Sequence, residues 1–211
     1  MNARGVALVL ALTFCLCACS GTAAVKLAGG TWTEAPDAPF RVDDYTASGE
    51  TRTVPADWVL PEDLAIDGKT RTEVCGEYLL FGPSDGSTLS GFTVVQYTGE
   101  GTVKEVYRFS DGITVTWQPF FSRYGDDAPW LSDGPRIAFP WKSAPESETW
   151  SLRVVDLVSG KAEDLELPPG AGDRDFLFCA WDDSLTAAAV NMDYDSGDNR
   201  PLTWTYRFPE P

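Results

Sequence analysis

The chain has 211 residues, with 16 basic and 32 acidic side chains, no histidine and a net charge of −16 at neutral pH. A surface this acidic repels phosphate backbones and anionic lipid head groups, which excludes nucleic acid as a partner. A hydrophobic content of 43% with eight tryptophans excludes a disordered acidic tail and indicates one folded domain.

The first eighteen residues have the pattern of an export signal. Arg4 precedes an uncharged apolar run over residues 5–18, which is shorter than the about 20 residues that a helix needs to span a bilayer. A short membrane anchor or a buried helix is the alternative interpretation. The run ends in Leu16-Cys17-Ala18-Cys19, which resembles the lipobox of bacterial lipoproteins, with an aliphatic residue, a tolerant position and a small residue before the modified cysteine.

This resemblance implies that residues 1–18 are removed as a signal peptide and that Cys19 carries a diacylglycerol on its thiol. The mature protein is then expected outside the cytoplasm, at the cell membrane or the outer membrane. Acyl chains anchor a protein without any transmembrane helix. Removal of the signal leaves 15 basic and 32 acidic residues, so the mature net charge is −17. No cofactor besides this lipid is expected.

Residues 19–53 are rich in Gly, Ala, Thr and Pro and show little periodicity, which predicts a tether and an entry segment. Residues 54–211 are predicted to form a single β-rich domain. Its apolar and β-branched or aromatic runs of strand length are Glu77–Phe81, Phe92–Tyr97, Val103–Phe109, Ile113–Phe120, Arg136–Trp141, Trp150–Leu157, Ala162–Leu167, Asp175–Trp181, Leu185–Met192 and Leu202–Phe208.

Glycine-containing turns separate these runs, among them Asp85-Gly86 and Ser159-Gly160, and such turns are typical of tight hairpins. No helical pattern lies between the runs that would serve as a crossover. The sequence therefore predicts an all-β fold of short antiparallel strands.

One part of the chain resembles the repeat of TolB-like β-propellers, in which a Trp, an Asp-Gly turn and an Ile-Ala-Phe strand recur. The resemblance begins at Pro129–Phe139 (PWLSDGPRIAF), continues through a hairpin at Leu152–Lys161 (LRVVDLVSGK) and reaches a second Trp turn at Trp181–Val190 (WDDSLTAAAV). It implies small twisted sheets stacked as propeller blades. Ten strands are too few for a closed propeller, so an incomplete or small propeller is expected, with another β-sandwich or barrel as the alternative.

Cys75 and Cys179 are the other two cysteines of the expected mature chain besides Cys19. Outside the cytoplasm an even pair favours a disulfide, which we predict between them. The alternative is that both are buried thiols that pack as small hydrophobic side chains.

The absence of histidine excludes Ser-His-Asp and Cys-His catalysis and zinc sites that use histidine. A carboxylate pair of the kind that hydrolyses glycosides is the remaining catalytic arrangement. Its candidates lie in two acidic dipeptides and are more simply explained as solvated turn residues: Asp126, Asp127, Asp182 and Asp183. We therefore expect no catalytic residue.

Three alternating aspartates, Asp193, Asp195 and Asp198, lie on a polar turn where their oxygens could surround a calcium ion. The order differs from an EF-hand loop, because Gly197 comes one place early and Trp204 stands where the bidentate Glu belongs. A plain polar hairpin turn is the favoured interpretation, so no metal is expected.

A longer loop over residues 118–129 is flanked by aromatic side chains. Long loops on rigid β scaffolds often carry binding, so these residues are candidates for a ligand site, with core packing as their alternative role. The candidates are Trp117, Phe120, Phe121, Tyr124 and Trp130.

These observations together predict a non-enzymatic binding or interaction domain, anchored in the cell envelope. Its partner is expected to be an envelope protein or an extracellular ligand. The alternative is an envelope hydrolase or an accessory domain of one.

Overall fold

The structure is a computed structural model that describes residues 26–36, 54, 56–60, 70–99, 101–115, 135–181, 184–193 and 200–210. Within these ranges the chain forms strands and turns and no helix. In chain order the strands are β1 (Thr31–Glu34), β2 (Thr70–Cys75), β3 (Tyr78–Pro83), β4 (Thr88–Leu89), β5 (Phe92–Gly99), β6 (Thr102–Phe109), β7 (Ile113–Val115), β8 (Arg136–Lys142), β9 (Ser151–Asp156), β10 (Lys161–Leu165), β11 (Phe176–Trp181), β12 (Leu185–Val190) and β13 (Leu202–Arg207).

Each of the ten predicted strand positions overlaps an observed strand, and the Asp85-Gly86 and Ser159-Gly160 turns lie between strands. Gly86 and Gly160 have φ values of 99° and 70°, the left-handed conformation that glycine adopts without strain. The sequence did not predict β1, β2 and β4. In β2 the polar residues Thr72 and Glu73 are buried, so polarity along this strand does not follow its burial.

The strands form three sheets. The N-terminal sheet has the order β2-β3-β5-β6, the middle sheet β10-β9-β8-β7-β4, and the C-terminal sheet β11-β12-β13-β1. Neighbouring strands within all three sheets are antiparallel, and most neighbours are consecutive in the chain. The prediction of an all-β, antiparallel fold is confirmed.

The middle sheet lies between the other two. Leu152 and Val154 on β9 belong to a core shared with the C-terminal sheet, whereas Val155 and Leu157 belong to a core shared with the N-terminal sheet. Successive side chains of a strand point to opposite faces, so both faces of the middle sheet are buried. This stack is the arrangement of neighbouring propeller blades and equally that of a layered sandwich, and the described strands close no barrel.

Phenylalanine rings join the N-terminal sheet to the middle sheet. The ring centroid of Phe92 is 5.3 Å from that of Phe109 and 4.9 Å from that of Phe139, and the Phe109 and Phe139 centroids are 5.0 Å apart. Tilted and edge-on contacts of this kind each stabilise a core by about 0.5–1.5 kcal/mol beyond the burial of area. These two sheets are therefore one packed unit.

The N-terminal strand β1 pairs with β13 and completes the C-terminal sheet. Just before it, Leu27 is fully buried, and its carbonyl accepts a hydrogen bond of 2.9 Å from the Tyr206 hydroxyl. The N–H of Ala28 donates to the carboxylate of Glu163 on β10, at 2.7 Å. The segment thus contacts both the C-terminal sheet and the middle sheet.

Residues 26–36 of the predicted tether and entry segment are therefore part of the folded body, whereas residues 19–25 and 37–53 lie outside the described residues. The sequence pattern did not predict strand β1, and the reason is physical. β1 is four residues long and lies at a sheet edge, where three of its side chains are exposed and one is half-buried, so hydrophobic alternation is absent.

The predicted disulfide is wrong. Cys75 and Cys179 are both buried and are not joined in a disulfide. Cys75 packs in the core between the N-terminal and middle sheets, and Cys179 in the core between the middle and C-terminal sheets. Because the middle sheet separates them, the two thiols pack as small apolar groups.

No helix among the described residues is long and apolar enough to cross a membrane.

Candidate functional site

Most of the site residues predicted from sequence lie outside the described residues. These are the lipidation site Cys19, the aromatic residues Trp117, Phe120, Phe121, Tyr124 and Trp130, the acidic residues Asp126, Asp127, Asp182 and Asp183, and the calcium candidates Asp195 and Asp198. Asp193 is described, and no group of three potential metal ligands occurs in the described ranges.

The structure instead reveals a pocket between the N-terminal and middle sheets, which we call the inter-sheet pocket. Its volume is about 520 Å³, within the range of about 300–1,000 Å³ that is usual for small-molecule sites. It lies where the β2–β3 turn approaches the β9–β10 turn. The described residues that line it are Glu77, Tyr78, Gln96, Pro135 and Val158.

The wall on the N-terminal sheet is polar and is held in place by hydrogen bonds. Gly76 enters the β2–β3 turn with a φ of 55°, and Glu77 completes the turn. The carbonyl of Glu77 accepts a hydrogen bond from the N–H of Tyr97 at 2.7 Å. Its carboxylate Oε1 accepts another from the Gln96 side-chain amide at 2.6 Å. Both the backbone and the side chain of Glu77 are thereby fixed.

Tyr78, the next residue in the chain, also lines the pocket on this side. Burial, followed by the charge of Glu77 and a hydrogen bond to its carboxylate, raises the pKa of Tyr78 to about 12, and the charge of Asp156 adds to the effect. The phenol is therefore neutral at physiological pH and can donate a hydrogen bond to Glu77. The Glu77 carboxylate thus receives two neutral donors, from Gln96 and Tyr78.

The opposite wall, on the middle sheet, is apolar and includes a fully formed turn. The N–H of Leu157 donates to the carbonyl of Pro135 at 3.1 Å. Asp156 Oδ1 accepts hydrogen bonds from the N–H of Ser159 at 2.7 Å and from its hydroxyl at 2.6 Å. At the tip of this turn the Val158 side chain is 72% exposed, so its apolar surface is open to solvent beside the pocket.

Two buried charges lie behind the pocket. Asp156 is fully buried, and its Oδ2 has no hydrogen-bond partner among the described residues. Arg136 is its neighbour across the ladder of β8 and β9, and the guanidinium carbon lies 4.3 Å from the ring centroid of Phe208. Phe208 packs on the core of the C-terminal sheet, so this cation is directed away from the N-terminal sheet.

Sequence reasoning missed this pocket because its residues come from four separate places in the chain and share no spacing. The sequence placed these residues only in predicted strands or in the propeller-like stretches, Pro135 in Pro129–Phe139 and Val158 in Leu152–Lys161, and did not group them as a site. Sequence alone cannot distinguish an exposed valine such as Val158 from a valine in the core.

The pocket is suited to binding. It offers one fixed carboxylate, a neutral phenol, an amide and an apolar wall, and its described lining holds no nucleophile other than these groups. The chain matches no known protein-family profile, no curated protein and no solved structure.

Proposed function

We propose that this protein is a lipid-anchored binding protein of the bacterial cell envelope, and that the inter-sheet pocket is its recognition site. In this proposal residues 1–18 are removed and a diacylglycerol on Cys19 holds the protein at the membrane. The β stack then binds an envelope protein or an extracellular ligand and carries out no catalysis.

The support for the anchor is the lipobox-like sequence, and the fold adds a limit on distance. Because Leu27 and Ala28 are bound to the body, the link between Cys19 and the body has only residues 20–25. A fully extended chain of this length reaches about 25 Å. The proposed anchor would therefore keep the body close to the lipid surface rather than on a long flexible tether.

The inter-sheet pocket is the observation that carries the binding role. It is formed by two packed sheets rather than by a loose loop, and its polar groups converge on one side while Pro135 and Val158 form the other. Small-molecule and side-chain sites have this composition, with a largely apolar surface and a few fixed polar groups. A ligand bound in the pocket would cover the exposed side chain of Val158.

Binding without catalysis is favoured by the chemistry of the pocket. Glycoside hydrolysis needs two carboxyl groups on either side of the substrate bond. Glu77 is exposed at the pocket, but Asp156 is fully buried and hydrogen-bonded to Ser159. One accessible carboxylate among the described lining residues, in a chain without histidine, supports recognition better than bond cleavage.

The proposal predicts two results in cells that produce the full-length protein. A palmitate analogue should label the wild type and the Cys17→Ser variant equally, and should not label the Cys19→Ser variant. A photo-crosslinking amino acid in place of Val158 should give a discrete adduct in envelope preparations.

The matched position for crosslinking is Val59, which is 65% exposed, lies beside the start of β6 and is not among the described residues that line the pocket. Label on the Cys19→Ser variant would disprove the anchor. Identical adducts from both valine positions, or none from Val158, would disprove recognition at the pocket.

A further inference from the structure

We propose that the protein contacts the lipid bilayer with one end of the sheet stack, the end that carries the inter-sheet pocket. Three turns form this end, which we call the pocket end: the β2–β3 turn at 75–78, the β5–β6 turn at 99–102 and the β9–β10 turn at 156–161. This inference rests on the proposed function, because it requires the lipid on Cys19. It adds the orientation of the body on the membrane.

Strand pairing places the three turns at one end of the stack. Tyr78 at the start of β3 pairs with Gln96 near the end of β5, so the β2–β3 and β5–β6 turns are neighbours. Val158, in the third turn, lines the same pocket as these two residues. The end of the C-terminal sheet lies at the same level, because Arg136, which directly follows a pocket residue, contacts the ring of Phe208 just after β13.

The N-terminal segment also joins the body at the pocket end. Thr31, the first residue of β1, pairs with Arg207, the last residue of β13. Before β1, the N–H of Ala28 donates to the carboxylate of Glu163, the third residue of β10, and β10 begins at the pocket end. The linker of residues 20–25 therefore meets the body beside the pocket rather than at the opposite end.

The length of the linker decides which end can reach the lipid. Fully extended, the linker spans about 25 Å. The strands of the N-terminal sheet have six to eight residues, so the two ends of the stack are about 20–27 Å apart. Contact of the opposite end with the bilayer would require a fully stretched linker, at a large cost in conformational entropy. Contact of the pocket end leaves the linker relaxed.

The exposed apolar side chains are distributed in the way that this orientation requires. Three large apolar side chains are exposed among the described residues, and two of them, Val59 and Val158, lie at the pocket end. The third, Met192, follows β12 at the opposite end. The N–H of Val59 donates to the carbonyl of Gly101 at 2.5 Å, which fixes this valine beside the β5–β6 turn.

Two aromatic rings lie next to Val59 at the pocket end. The rings of Trp58 and Tyr97 are stacked, with centroids 5.0 Å apart and planes inclined by 4°, and both residues are half-buried. The Tyr97 hydroxyl accepts a hydrogen bond from the N–H of Gly101 at 3.2 Å. Tryptophan and tyrosine combine an apolar body with a polar atom and are enriched at membrane–water interfaces.

The charge of the protein specifies the kind of lipid surface. The expected mature chain has 15 basic and 32 acidic residues, so anionic head groups repel it, and apolar side chains have to supply the contact. The anchor raises the effective concentration of the body at the surface, so a weak contact is enough to select one orientation. We therefore expect contact with a zwitterionic bilayer, and a pocket ligand that is presented at that surface.

The test uses full-length protein that has been processed in cells, purified and inserted into phosphatidylcholine vesicles. The variants Val59→Cys, Val158→Cys and Met192→Cys each carry an environment-sensitive fluorophore, because Cys75 and Cys179 are buried and do not react in the folded protein. At positions 59 and 158 we expect a blue shift of the emission and a loss of quenching by aqueous iodide. Position 192, which is 77% exposed, is the matched control and should show neither change.

Flotation of the vesicles separates failure of the orientation from failure of the anchor. Protein that floats with the vesicles but shows no change at positions 59 and 158, or an equal change at position 192, would overturn the orientation and leave the anchor intact. Protein that does not float would overturn both. The crosslinks then separate the lipid surface from the pocket, because Val59 should give lipid adducts alone and Val158 should also give the adduct of a partner.

Discussion

Arg153, on β9, connects the middle sheet to the N-terminal sheet through both charge and packing. Its guanidinium makes two hydrogen bonds to Asp164 on β10, at 2.8 and 2.9 Å, and an ion pair with Asp111 in the turn after β6. The same group lies 4.6 Å from the Trp141 ring centroid and 5.6 Å from that of Phe109. Hydrogen bonds to these carboxylates raise the pKa of Arg153, so it stays charged at all accessible pH values.

Replacement of Arg153 by lysine should lower the free energy of unfolding by about 2 kcal/mol, because a lysine cannot make the two parallel bonds or stack on the rings. The measurement is urea-induced unfolding followed by tryptophan fluorescence. Arg108→Lys is the control, since Arg108 is 55% exposed in its pair with Glu105 and its replacement should cost about 0.5 kcal/mol or less. Equal losses in the two variants would show that Arg153 is not a link between sheets.

At the scale of elements, a few polar contacts hold the N-terminal strand β1 and the residues just before it. The Tyr206 hydroxyl donates to the Leu27 carbonyl and accepts the N–H of Gly30 at 2.8 Å. Gly30 itself leaves no space for a larger residue, because a Cβ there would lie 2.2 Å from the carbonyl oxygen of Arg207. β1 therefore lies in a closely fitted position against β13.

Tyr206→Phe should destabilise the protein by about 1–3 kcal/mol, because it leaves the buried Leu27 carbonyl and the Gly30 N–H without their partner. Amide hydrogen exchange should accelerate most in residues 30–34, which report the docking of β1. Tyr97→Phe is the control, since the half-buried Tyr97 hydroxyl accepts a single bond of 3.2 Å from Gly101. Unchanged exchange in β1 would show that Tyr206 does not hold this strand.

The elements that could be predicted were those whose local pattern matches their environment. Strands such as β8 and β9 combine apolar and β-branched residues with a turn that ends them, so a few neighbouring residues identify them. β4 has two residues, β1 is an exposed edge, and β2 buries Glu73. Their identity as strands depends on pairing with segments that are distant in the chain, and local patterns carry no signal of that pairing.

For the whole molecule, the central position of the middle sheet implies cooperative unfolding. Both cores use its side chains, so neither outer sheet retains its core when the middle sheet is lost. Cys75 and Cys179 lie one in each core and are natural reporters of the two interfaces. Burial also raises the pKa of the Cys179 thiol, which suppresses the reactive thiolate in the folded protein.

Pulsed alkylation with iodoacetamide across a urea series should modify neither Cys75 nor Cys179 in the native protein. Both should become reactive at the same urea midpoint, because one cooperative transition exposes both cores. Peptide mass spectrometry gives the extent of modification at each site. Separate midpoints would show that the two outer sheets unfold independently, and a peptide that links the two cysteines would restore the disulfide.

As with the fold, the sequence predicted some candidate site residues and missed others. The 118–129 loop and its aromatic residues were predicted from local composition, and they lie outside the described residues. The inter-sheet pocket was not predicted, because Glu77 and Val158 are 81 positions apart and meet only after two sheets have packed. Neither residue has neighbours in sequence that distinguish it from any other turn residue.

By itself, the sequence determined the all-β class, ten strand positions and the turns between them, because alternation and turn chemistry act over a few residues. The tertiary structure alone decided that β1 completes the last sheet, that the two thiols lie on opposite sides of the middle sheet, and that Glu77 faces Val158. Those outcomes depend on which apolar faces bury one another, and that free energy is shared among residues far apart in the chain.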